Sequence, residues 1–113
     1  MANYILQGYA SPWGNKWVVV FDHTGPSSYS NIGTNSGTGD VINGTDLGFG
    51  GIDYIIGTVE STGVYDVEPY YTQTTGQTQS SVALKWYVST TGSEAANGTS
   101  LSSKTARLLA VCV

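Results

Sequence analysis

The sequence predicts an all-β protein, a small antiparallel sandwich or barrel of about 6–8 strands. Three observations carry this prediction. Six short apolar or alternating segments recur along the 113 residues, Gly-, Asn- and Thr-rich turn material separates them, and no segment sustains a 3.6-residue period. A chain of this length makes one domain, residues 1–113, and buries roughly two thirds of the surface its unfolded form exposes.

Each strand has its own pattern. "YILQGY" (4–9) is a short apolar segment, and "KWVVVFD" (16–22) is a continuous β-branched and aromatic run. Such a run marks a strand covered on both faces, which would place Trp17 in the core. "IDYIIGTVES" (52–61) and "VYDVEPYY" (64–71) flank Thr62 and Gly63, the length and chemistry of a tight hairpin loop. In the second of these, Tyr65, Val67 and Tyr71 fall on one face and Asp66 and Glu68 on the other.

"SVALKWYVST" (81–90) alternates: Val82, Leu84, Trp86 and Val88 make one face, and Ala83, Lys85, Tyr87 and Ser89 the other. "TARLLAVCV" (105–113) supplies a last strand. The stretches 72–79 and 90–103 are polar turn material, with room for one helical turn at 94–97.

One stretch fits no strand. "SSYSNIGTNSGTGDVINGTDLGFGG" (27–51) is rich in Gly, Ser, Thr and Asn and has no Lys or Arg. Compact domains rarely carry so long a connection unless it is functional, disordered or ordered by a partner. The expectation is a loop or arm at 25–51 projecting from a rigid scaffold. Val41, Ile42, Leu47 and Phe49 within it suggest partial docking or a small extra strand.

Composition narrows the function. Only 11% of residues are charged, against about 25% in an ordinary soluble domain, so much of the surface desolvates cheaply and can face other subunits. The net charge is −4, and Lys16, Lys85, Lys104 and Arg107 are scattered. Nucleic-acid binding needs clustered cations, so no nucleic-acid partner is expected. No stretch approaches a membrane span, so no membrane partner is expected either.

The N-terminus lacks the basic start and apolar core of a signal peptide, and Cys112 alone can form no intrachain disulfide. These features predict a complete small protein made in a reducing cytoplasm. Asn43-Gly44-Thr45 and Asn97-Gly98-Thr99 match the glycosylation pattern, and turn chemistry accounts for them better.

Catalytic and metal chemistry find little support. His23 follows Asp22 on a strand, where neighbours point to opposite faces, so Asp22 is badly placed to orient the imidazole. Cys112 lacks a neighbour that would activate it and reads as a small core hydrophobe. One Cys and one His cannot close a zinc shell. Asp40, Asn43, Thr45, Asp46 and Asp53 offer oxygens for calcium, but the spacing fits no EF-hand and turn-forming roles explain them. Asp66, Glu68 and Glu60 could gather across the hairpin, yet a glycosidase needs two carboxyls set in a cleft. No enzyme activity and no cofactor are expected.

Two function classes remain, a sugar- or receptor-binding module and an assembly subunit. Exposed aromatics such as Trp13 and Tyr29 serve either. The few charges, the Thr/Ser/Gly/Asn-rich composition, the long polar stretch and the apolar C-terminus favour the second. The half "GTVESTGVYDVEPYY…SVALKWYVSTTG…KTARLLAVCV" (57–113), with its Thr-Gly hairpins and terminal β-run, resembles small virion proteins of tailed bacteriophages, among them capsid decoration or cement proteins.

The resemblance covers roughly residues 52–113 and implies a homo-oligomer on the outer capsid surface of a virion. It implies the major capsid protein or other virion subunits as partners, with a tail or fibre component as a near neighbour. On that reading the 25–51 arm orders on assembly, and the partner-contact residues are Trp13, Tyr29, Asn31, Asn35, Val41, Ile42, Leu47 and Phe49.

Overall fold

Strands form where β-branched and aromatic residues meet turn glycines. In the computed structural model, residues 2–70 and 78–113 are described, with the backbone path alone for 2–10. Strand β1 (Ala2–Trp13) and β2 (Lys16–Thr24) make a hairpin closed at Gly14, whose φ of +63° suits glycine. Strand β1 is longer than the 4–9 segment because pairing resumes after a bulge between Ile5 and Ala10.

The chain then passes through a one-turn helix α1 (Ile32–Asn35) and the short β3 (Asp40–Asn43). A 3-10 turn, Gly44–Leu47, leads to β4 (Ile52–Ile56), β5 (Thr58–Val59), β6 (Tyr65–Tyr70), β7 (Ser81–Val88) and β8 (Thr105–Cys112). The strand end anticipated at Tyr71 and the linker residues 72–77 lie outside the described residues.

These strands form two antiparallel sheets of four, confirming the all-β sandwich. Sheet A has the order β1-β2-β8-β4 and sheet B the order β3-β7-β6-β5. Their inner faces share one core, which includes Val19 and Phe21 of β2, Val67 of β6, Leu84 and Trp86 of β7 and Leu108 of β8. Each such side chain contributes roughly 1.5–3 kcal/mol by leaving water.

The anticipated 52–61 strand is divided. Residues 52–56 pair with β8 in sheet A, whereas Thr58 and Val59 pair with β6 in sheet B. The chain changes sheets at Gly57, where a Cβ would collide with the carbonyl of Val67. The turn that follows closes at Gly63, at φ +76°. No helical turn forms at 94–97; Glu94 instead makes an isolated bridge with Tyr87.

The stretch 27–51 does not project. It is a strap laid along the sandwich and tied at several points. Strand β3 adds an edge to sheet B by pairing with residues 81–84 of β7. Tyr29, Ile42 and Leu47 enter the core at no more than 2% exposure. A polar stretch can dock in this way because its Asn, Ser and Gly groups hydrogen-bond backbone, while a few spaced apolar residues reach inward. Asn31 caps α1 through its Oδ1 and donates Nδ2 to the Ala95 carbonyl.

Candidate functional site

The most unusual surface is the outer face of sheet A. Antiparallel sandwiches usually alternate apolar inward and polar outward. Here the central outward positions of β2, β8 and β4 are apolar as well. Register sets Ser11, Val18, Val111 and Tyr54 in one row across the four strands, and Val20, Leu109 and Ile56 in the next. Tyr54 is 43% exposed and Ile56 49%, and Trp13, beside Lys16 at the β1–β2 turn, is 63% exposed. Val18, Val20 and Leu109 are partly open.

Ion pairs close both ends of this face. Arg107 donates to Asp22 through Nε at 2.8 Å and a terminal nitrogen at 3.1 Å. Lys16 Nζ lies 3.0 Å from Asp53. The Arg107 hydrogen bond holds the Asp22 carboxyl below its ordinary range. A hydrogen bond from Thr78, then one from Lys16, does the same for Asp53. Such surface pairs contribute little stability, but they cancel charge locally.

The sequence reading missed this face because it took "KWVVVFD" as covered on both sides. A signal was present. The central outward residues of the 16–22, 52–56 and 105–113 segments (Val18 and Val20, Tyr54 and Ile56, Leu109 and Val111) are apolar in all three, and these strands prove to be neighbours.

The anticipated contact residues are not gathered on one surface. Trp13 is exposed on the sheet A rim, and Asn35 is exposed at the end of α1. Val41 and Phe49 are partly exposed. Tyr29, Asn31, Ile42 and Leu47 are buried and cannot touch a partner, because the strap that carries them is docked. Trp17, expected in the core, is 40% exposed and packs its ring near Phe49, with centroids 5.9 Å apart. It sits where β2 enters the sandwich, too near the end to be enclosed.

The interior holds a polar group that the sequence did not reveal. His23 Nε2 and Trp86 Nε1 meet Asp40 Oδ2 at 2.6 and 3.0 Å, with the histidine and aspartate side chains fully enclosed. Asp22 points the other way, to Arg107, as its place on the strand requires. A solute has no path to this histidine, so the group ties β3 of the strap to β2 and β7.

Glu94 ties the strap from the other side. It accepts from Tyr29 Oη at 2.7 Å and from the Ile32 and Gly33 amides at 2.8 and 2.9 Å. Burial opposes its ionisation, but these donors outweigh burial and leave its pKa below the ordinary value of 4.5.

The calcium-type oxygens are dispersed. Asp40 is inside, Asp53 binds Lys16 and Thr78, and Asn43 contacts Asp46 at 3.4 Å. Among the described residues, no three His, Cys, Asp or Glu side chains are placed to hold a metal. The hairpin carboxylates separate too. Glu60, 2% exposed, accepts from the amides of Thr62, Val64 and Tyr65. Asp66 accepts from Ser89, and Glu68 pairs across the strands with Lys85. Cys112 is buried, and burial together with the Asp53 charge pushes its thiol up to about 11.

Among the described residues, two depressions can be followed. One of about 510 Å³ runs beside the Gly57 crossover, lined by Ile55, Val59, Asp66 and Glu68 among others. The other, about 210 Å³, lies on sheet B between Tyr70, Ala83, Val41 and Ile32. Neither gathers a set of reactive groups.

No family model, curated protein or solved structure matches this chain. Its function is therefore argued from its surfaces.

Proposed function

We propose that the protein is a non-enzymatic virion structural protein of the capsid decoration or cement type, attached to the outside of a tailed-bacteriophage head. The observation that carries the proposal is the apolar outer face of sheet A. Apolar surface on a small soluble domain is normally scattered, and a contiguous face marks an interaction site. A sheet held by strand pairing, with Trp13 and Tyr54 exposed, offers aromatic contact area at low entropic cost. The resemblance of the 52–113 half to small virion proteins supplies the kind of assembly, with the major capsid protein or a neighbouring virion subunit as partner.

On this reading attachment works by burial without chemistry. The sandwich presents a preformed surface, so little is lost to ordering, and repetition on a lattice strengthens weak single contacts. The strap 27–51 contributes stiffness rather than an arm that orders on assembly.

Virions purified from lysates containing the chain provide the test. The protein is expected to co-purify in a fixed ratio to the major capsid protein, to be strippable, and to rebind on addition. Its absence from purified particles, or rebinding unaffected by Ile56→Lys, would overturn the proposal.

A further inference from the structure

The charges on the molecule are distributed unevenly, and this bears on what covers sheet A. Four charged side chains, Lys16, Arg107, Asp22 and Asp53, frame its outer face, and they neutralise one another in pairs. The net charge of −4 therefore belongs entirely to the rest of the molecule. Elsewhere the exposed and partly exposed acids Asp46, Asp66, Glu68 and Glu94 outnumber Lys85 and Lys104, so two copies meeting there bring excess negative charge together. Two copies meeting through sheet A do not.

We propose that the outer face of sheet A packs against the same face of a second copy, forming an isologous dimer. The proposal rests on the reading of this face as an assembly surface and names its occupant in the free protein, a second copy that the capsid contact displaces on the particle. Each end of the face carries one cation and one anion, so the pattern complements itself. With the two copies stacked antiparallel along β2, Lys16 of one lies over Asp22 of the other, and Val20 and Leu109 lie at the centre.

The dimensions suit such a contact. Four strands about 4.8 Å apart and 5 to 12 residues long span roughly 550 Å² in projection. Relief from Trp13 and Tyr54 brings the accessible area to the order of the roughly 800 Å² that each partner gives to a standard interface. Sheets packed this way also bury β-branched outward residues that the run "VVV" in β2 would otherwise leave wet.

The experiment is analytical ultracentrifugation of the wild type and two variants from about 1 to 200 μM. Ile56→Lys places a lysine on the face at a half-exposed position, and Val64→Lys places one on the β5–β6 turn away from it. The expected result is a wild-type dimer, a dissociation constant raised at least about 30-fold by Ile56→Lys, and no change with Val64→Lys.

Circular dichroism of both variants checks that they are folded. A wild type that stays monomeric throughout, or a dimer indifferent to Ile56→Lys, overturns the proposal. A monomer that still binds particles, and loses that binding with Ile56→Lys, overturns self-association and leaves the virion reading intact.

Discussion

His23 Nε2 lies 2.6 Å from Asp40 Oδ2 inside the sandwich, joining residues 17 positions apart with neither side chain exposed. The aspartate comes from the polar strap and the histidine from a central strand. Trp86 donates its indole N–H to the same oxygen. Three segments of the chain thus meet at one carboxylate, and the strap cannot leave without stranding polar groups in an apolar core.

Replacing Asp40 should therefore be severe. Asp40→Ala removes the acceptor shared by His23 and Trp86 and leaves a void, which costs about 3–5 kcal/mol. Urea denaturation is expected to show that loss with little change in slope. A loss under about 1 kcal/mol would mean the strap is not anchored there.

Glu94 makes a pH-dependent tie. Its pKa is lowered in the folded protein, so its contribution is fully present above the unfolded value and vanishes as pH falls through the folded one. Glu94→Gln should cost about 1–2 kcal/mol at pH 7. The gap between wild type and variant should narrow as pH falls below the ordinary glutamate value of 4.5. Glu60, Asp22 and Asp53 titrate in both proteins and cancel in that comparison. A gap that persisted undiminished down to the lowest pH at which both proteins stay folded would show that the tie does not depend on ionisation.

The crossover at Gly57 admits no side chain. Gly57→Ala drives a methyl into the Val67 carbonyl, and the backbone on both sides is held by strand pairing. Destabilisation of about 3 kcal/mol or more is expected. Thermal unfolding would register this as a midpoint lowered by about 10 °C or more. Gly14→Ala offers a contrast, since that site has open space and only the strain of a positive φ.

The docked strap should resist proteases without a partner. Limited proteolysis of the free protein is expected to spare 27–51 until the whole domain unfolds, because the amides of Tyr29, Asn31, Ile32, Gly33 and Gly44 bond to the 80–99 region and Tyr29, Ile42 and Leu47 are inside. Early cleavage within 30–40 would contradict this.

The fold class was legible because strand chemistry is local. The alternation in 81–88 announced its inward face, and Val82, Leu84 and Trp86 do point inward. The small extra strand hinted at by Val41 and Ile42 is β3. The fate of 27–51 was not legible, because it depends on partners distant in sequence. Asp40 reads as turn material until His23 and Trp86 are set beside it, and Tyr29 reads as exposed until Glu94 is. Trp17 misled for another reason: an apolar run says a strand is wanted in the core, but not where the sandwich ends. The sheet A face required knowing that β2, β8 and β4 are neighbours, which register alone supplies.

The most direct test of the central claim, that the outer face of sheet A is the working surface, is oxidative footprinting of the free and particle-bound protein. The account predicts that Trp13 and Tyr54 are labelled in the free protein at low concentration and protected at least about threefold on the particle. Tyr70 on sheet B should stay labelled in both. Protection of Tyr70 with Trp13 and Tyr54 unchanged would contradict the claim and move the contact to the opposite sheet.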